Sequence, residues 1–234
     1  MTKPEALPPN AAGVDVPFQR VSTFVRQVTH DVRNSLNAME LQAAYVLELV
    51  DDPEAVEEIR RLRTQIQQSA RTLQALSAHF WLPQPSLIEY SAAIFAEDFR
   101  DRLAKKYPER APCVQWTVEV GNESISTDIE LIFAALAEVF SNAFHFSEKD
   151  GTITARAFSK NGQFVIELQE SRSSAPESPE KWGAEPFVST RRGAYGLGLF
   201  RTRMILAAHG GDLQYSYDPG SGLLTARISL PLAG

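Results

Sequence analysis

Apolar or small residues recur at Val21, Val25, Val28, Val32, Ser35, Met39, Val46 and Leu49, the three-then-four spacing of a helix that buries one seam against partner helices. The period holds from Val16 to Val50 and stops at Asp51-Asp52-Pro53, because proline is accepted in the first turn of a helix but not in its interior. A second seam runs through Val56, Ile59, Leu62, Ile66, Ser69 or Ala70, Leu73, Leu76 and Phe80 and closes before Pro83-Gln84-Pro85. Two long helices on a tight turn predict an antiparallel hairpin. One hairpin buries too little apolar surface to stand alone, so the pattern predicts a homodimer in which two hairpins form a four-helix bundle.

Beyond Pro85 the pattern becomes mixed. Residues 86–90 and 114–120 read as strands, 92–106 as a helix, and 129–146 as a strongly apolar helix. Residues 152–158 and 164–168 form a strand pair joined by Lys160-Asn161-Gly162. A helix over 199–208 precedes a last hairpin, 213–217 with 224–230, around Asp218-Pro219-Gly220-Ser221-Gly222. Paired strands with helices between them predict an α+β sandwich, one sheet with its helices on one face. Residues 171–195 carry no period, which inside a compact domain indicates an active-site lid or a loop. The expected organisation is a disordered tail at 1–15, a helical hairpin at 16–83 and the sandwich domain at 86–234.

Composition narrows the function. At 234 residues, with 44% hydrophobic and 22% charged residues, the chain is ordinary globular material. A net charge of -6 argues against a nucleic-acid partner, and Arg60, Arg61 and Arg63 alternate with acids as a solvated face. The single cysteine, Cys113, excludes an intrachain disulfide and is expected to fill a strand core. The first fifteen residues are rich in Pro and Ala and hold no signal-peptide core, and the apolar runs elsewhere fall short of a membrane span. These features predict a soluble cytoplasmic chain.

Candidate chemistry lies in three places. His30 falls opposite the first helix's seam, with Asp31 beside it and Asn34 one turn on; an exposed neutral imidazole with an adjacent carboxylate has the makings of a nucleophile and its base. On the apolar helix, Glu138, Asn142 and His145 share one polar stripe. Polar groups on an otherwise buried helix must be paired or solvated, and a cleft holding a metal ion and phosphates would satisfy them. Finally, Gly193, Gly196 and Gly198 lead straight into the 199–208 helix, where unobstructed backbone amides form an anion site.

In this order and spacing, the chain resembles the histidine kinase family of two-component signalling over nearly its whole length. His30-Asp31-Val32-Arg33-Asn34 is similar to the family's H box, residues 138–145 to its N box, Glu185-Pro186-Phe187 to its phenylalanine box, and residues 193–199 to its G2 box. The resemblance implies a dimerisation and phosphoacceptor hairpin followed by a Bergerat-type ATP-binding domain. It implies His30 as the phosphoacceptor, Asp31 as the base holding its imidazole, and Asn34 as the residue that orients a water for the reverse, phosphatase-like reaction. Asn142 would ligate Mg²⁺ beside Glu138, His145 would reach a phosphate, and Gly196 and Gly198 would approach the triphosphate of ATP. The partner implied is the receiver domain of a response regulator.

One motif departs from the pattern. Where the family's G1 box has Asp-x-Gly-x-Gly, this chain has Glu170-Ser171-Arg172-Ser173-Ser174. Glu170 keeps a carboxylate for an adenine amino group, one methylene further out, but both glycines are gone. Two functions follow. One is a soluble ATP-dependent protein-histidine kinase that autophosphorylates His30 and passes the phosphoryl group to a response-regulator aspartate. The other is a kinase-derived histidine phosphotransferase of a phosphorelay that no longer binds ATP.

Overall fold

A computed structural model of the chain describes residues 16–147, 151–189, 191 and 195–233, so the expected tail at 1–15 lies outside the described residues. The chain divides into two compact units, Met1–Leu82 and Pro83–Gly234. In the first, α1 (Phe18–Leu49) and α2 (Pro53–His79) form the hairpin. Asp52 caps α2 by accepting the Ala55 N–H at 2.9 Å, and Pro53 takes the first helical position, where its missing N–H is not needed.

The seam within one hairpin differs from the predicted one. Ser22, Thr29 and Ala43 are the buried residues of α1, and Glu40 sits between the helices, its Oε1 accepting from Arg63 Nε and Nη2 at 2.9 and 2.8 Å. Val28, Val32, Met39, Val46 and Leu49, all assigned to the seam by their spacing, are exposed, and so is Leu62 on α2. The helix carries two adjacent stripes at the same period. The one with small and polar residues packs on α2, because small side chains admit close approach, and the bulkier apolar stripe stays on the hairpin surface.

In the second unit, β2 (Val114–Glu119), β4 (Ile153–Lys160), β5 (Gln163–Ser171), β6 (Asp212–Asp218) and β7 (Leu223–Pro231) form a five-stranded sheet in the order β2-β4-β5-β7-β6. Only β2 with β4 is parallel. The β4–β5 turn uses Asn161 and Gly162, both at positive φ, as a two-residue hairpin requires. A separate ladder pairs β1 (Ile88–Ser91) with β3 (Ser124–Thr127), so the domain has two sheets where one was predicted. β3 escaped notice because Ser124-Ile125-Ser126-Thr127 has one apolar residue and too short an alternation to register. Cys113 also falls elsewhere than expected: it ends a 3-10 turn just before β2 and is only half-buried.

Alternate residues of β4, β6 and β7 are buried, among them Ile153, Ala155, Leu213, Leu224, Ala226 and Ile228. They pack beneath α3 (Ala92–Lys106), α4 (Ile129–Phe146) and α5 (Gly198–Ala208). Contrary to the expectation from apolar runs, α4 is long and apolar enough to cross a membrane by length and composition, but half of it is buried in this core. The predicted lid is partly anchored: Pro179 is buried in a 3-10 turn and Trp182 packs on the core.

Candidate functional site

On α1, Thr29 turns inward while His30 points outward, with 67% of its side chain accessible. Its Nδ1 lies 3.2 Å from Asp31 Oδ1, and the Asn34 amide nitrogen approaches the same atom at 3.4 Å. Asp31 also accepts from Gln27 Nε2 at 3.0 Å. These two hydrogen bonds, the one from His30 first and that from Gln27 second, hold the Asp31 carboxyl below the usual carboxylate range. A charged Asp31 accepting the Nδ1–H fixes the tautomer in which Nε2 carries a free lone pair. Among the described residues, the hydrogen-bonding contacts to the ring are made at Nδ1 and none at Nε2.

In the second unit, Asp128 starts α4 by accepting the Leu131 N–H at 3.1 Å. Its own N–H donates to Nε2 of the buried His209, whose Nδ1–H donates to the Ile205 carbonyl at 2.7 Å. His209 therefore has both nitrogens engaged as a structural pin. Further along α4, Glu138 and Asn142 are half-buried and His145 is exposed, as the polar stripe predicts. Gly198 opens α5 against Glu138, where a Cβ would overlap the carboxylate. Gly196 has φ +67°, and a Cβ there would come 2.5 Å from the Val188 nitrogen; both facts restrict the position to glycine. Gly193 lies outside the described residues. Sequence reasoning missed Arg201 on α5, a half-buried guanidinium whose pKa is lowered by desolvation and raised in part by the charge of Glu138. Periodicity alone could not show that α5 would aim this side chain at α4.

Glu170 is at the end of β5, beside a pocket lined by Asn142, Ala143, Leu168, Arg172, Trp182 and Tyr215. Its carboxylate accepts Arg172 Nη2 at 2.7 Å, with side-chain exposures of 6% and 11% for the pair. The guanidinium lies 5.0 Å from the Phe146 ring and 6.0 Å from the Trp182 ring. The space that remains holds about one water molecule. Among the described residues, no group of three or more His, Cys, Asp and Glu side chains gathers as a metal site. Asn142 and Glu138 are oxygen donors suited to a hard cation such as Mg²⁺, but Glu138 already faces Arg201. The residues present do not fit an adenine base with Arg172 in this position.

Burial pushes the Glu170 carboxyl up to about 7, against the charge and hydrogen bond of Arg172. The neighbouring Tyr215 hydroxyl is raised as well, by burial first and by the Glu170 charge second. Between the ordinary glutamate value of 4.5 and about 7, the folded chain keeps a proton that the unfolded chain has released. Stability from this group therefore falls as pH rises through that window and is level above it, by about 1–3 kcal/mol in all. Urea denaturation at the two ends of the window should show the decline in wild type and lose most of it in Glu170→Gln. An equal decline in both would assign it to other groups.

Residues 127–234 match the family model described as histidine kinase-, DNA gyrase B- and HSP90-like ATPase. The chain is 24% identical over 215 residues to the alginate biosynthesis sensor protein KinB of Pseudomonas aeruginosa, covering 88% of this chain and 36% of that protein. To the sensor histidine kinase ZraS of Klebsiella oxytoca it is 24% identical over 212 residues, covering 88% and 45%. It thus spans between about a third and a half of the length of these curated relatives. Full-length ShkA, solved in complex with AMPPNP, aligns with a TM-score of 0.65 at 19% identity over 91% of this chain and 46% of that one. The mycobacterial sensor histidine kinase MprB aligns at 0.52 and 21% identity over 62% and 97%. At these identities the likeness is one of fold: a helical hairpin and an ATPase-like sandwich.

Proposed function

We propose that the chain, whose residues 127–234 match the histidine kinase-like ATPase model and whose curated relatives include sensor histidine kinases, is a member of the histidine kinase family of two-component signalling and works as a histidine phosphotransfer protein, with His30 as the carrier and a response-regulator receiver domain as its partner. The observation that carries this reading is the His30 ring itself, exposed and held through Nδ1 by Asp31 while Nε2 stays open. In the forward step the Nε2 lone pair attacks the phosphorus of an aspartyl phosphate in line. The N–P bond forms, the P–O bond to the receiver's aspartate breaks, and that carboxylate leaves. The Nδ1 proton stays on the ring, and the positive charge the ring gains is offset by Asp31. The reverse sequence delivers the group to a second receiver. Asn34, at the same ring edge, orients a water for hydrolysis in the partner.

The alternative donor is the γ-phosphate of ATP, which would make the chain an autophosphorylating kinase. The stripe of Glu138, Asn142 and His145, with Asn142 as the Mg²⁺ ligand, and the glycines before α5 support that reading. Arg172 in the base pocket supports the relay, and we place the relay first. In either case the exposed apolar stripe of α1 is the surface on which a second hairpin would complete a homodimeric bundle, since one hairpin leaves Val28, Val32 and Met39 uncovered.

The test uses a receiver domain carrying labelled aspartyl phosphate. Label should move to this chain as an acid-labile, base-stable phosphoramidate. In Asp31→Asn it should move about 10–100-fold more slowly, because the amide can still accept the Nδ1–H but supplies no charge. Rapid-quench time courses read both. No transfer from any receiver, with label acquired from ATP instead, would replace the relay by the kinase.

A further inference from the structure

We propose that Arg172 is an internal occupant of the base pocket: its guanidinium takes up the carboxylate and aromatic contacts that a purine would use, so an adenine nucleotide binds this chain only by displacing it. The inference goes beyond the phosphotransfer reading and does not depend on His30.

A guanidinium is planar, delocalised and rimmed with N–H donors, and it stacks on aromatic faces as a nucleobase does. Here one nitrogen donates to Glu170 at 2.7 Å, the bond that an exocyclic amine would otherwise make. The ring contacts to Phe146 and Trp182 fall on the same group. The side chain is not a surface residue folded over the opening. Its backbone N–H donates to the Gly222 carbonyl at 2.9 Å, which fixes the end of β5 against the last hairpin and carries the side chain inward.

The pocket is only partly satisfied by its occupant. Glu170 Oε2, Arg172 Nε and the Tyr215 hydroxyl are buried without a hydrogen-bond partner among the described residues, which a pair evolved purely for stability would be expected to avoid. Asn142, on the stripe assigned to the phosphates, lines the same space. The pocket is therefore continuous with the polar stripe and is closed by one side chain. In the sequence, Arg172 stands where the family pattern has the first G1 glycine.

The measurement is calorimetric titration of the full chain with AMPPNP and Mg²⁺. Wild type should fail to saturate at millimolar nucleotide, and Arg172→Gly should bind about tenfold tighter or more. Because that variant leaves the Glu170 carboxylate unpaired in the interior, Glu170→Gln/Arg172→Gly provides a form with no buried charge, in which the gain should persist. Wild type saturating at micromolar AMPPNP would overturn the proposal, and so would a folded variant with unchanged affinity, the result for a merely structural ion pair. Calorimetry reads the pocket alone, and label transfer to His30 is scored separately, so the two failures are distinguishable: tight AMPPNP binding would remove the support Arg172 gives to the relay and favour ATP as the donor, whereas loss of label transfer would leave the pocket result untouched.

Discussion

Replacing His30 by alanine is expected to leave the chain folded and unable to take up a phosphoryl group, with labelling from a phosphorylated receiver falling at least about 10³-fold to background. The reasoning is atomic. The transferred group must bond to a nitrogen whose lone pair is not engaged, and His30 Nε2 meets that condition while Nδ1 is committed to Asp31. His209 cannot substitute, being buried with both nitrogens hydrogen-bonded. His145 is exposed but packs edge-on to Phe146 at the end of α4, with no carboxylate hydrogen-bonded to its ring in the described structure, so His145→Ala should label normally. Since His30 is largely exposed, its loss should change stability by less than about 0.5 kcal/mol, which circular dichroism and a melting curve check. Wild-type levels of label on the folded His30→Ala protein would refute the assignment.

The largest stability effect is expected at Phe140. Its ring is fully buried on α4, stacked on Trp116 at 5.4 Å and edge-on to Phe99 at 5.3 Å. Phe140→Ala removes that volume from the middle of the core, where neighbours held by the sheet can collapse only in part, at a cost of about 3–5 kcal/mol. For a unit of this size the melting temperature should drop by roughly 10 °C, at about 2–4 °C per kcal/mol. The same helix carries Glu138 and Asn142 on its opposite, half-buried face, so the polar stripe should lose its geometry before the hairpin does. A drop of only a degree or two would mean that the core is plastic enough to refill the space.

The first prediction rests on a residue that the pattern of the chain singled out and the second on a helix that it located, and the comparison between pattern and structure shows where that kind of reading works. The boundaries of α4 and α3 agreed with the period to the residue, because a long amphipathic helix repeats its signal over several turns. The Asn161-Gly162 turn was equally legible, since a two-residue hairpin demands positive φ at both positions. The four-residue β3 was not, and neither was the choice between two overlapping stripes on α1. Spacing reports that a face is apolar; it does not say which neighbour that face will meet.

The same division holds at the candidate site. The sequence by itself determined the chemistry available: an outward imidazole with a carboxylate next to it, a polar stripe on a buried helix, glycines ahead of α5, and an arginine in place of a glycine after Glu170. The first three follow from local spacing along one helix or one turn, and the last from the resemblance to the family's G1 box. Only the tertiary structure decided that Arg201 would oppose Glu138, that His209 would pin Asp128, and that Arg172 would lie against Glu170 near the rings of Phe146 and Trp182. Except for the Glu170–Arg172 pair, which is local, those contacts join segments distant in the chain, and the energies of all of them arise from desolvation and packing that exist only once the sheet has closed against its helices.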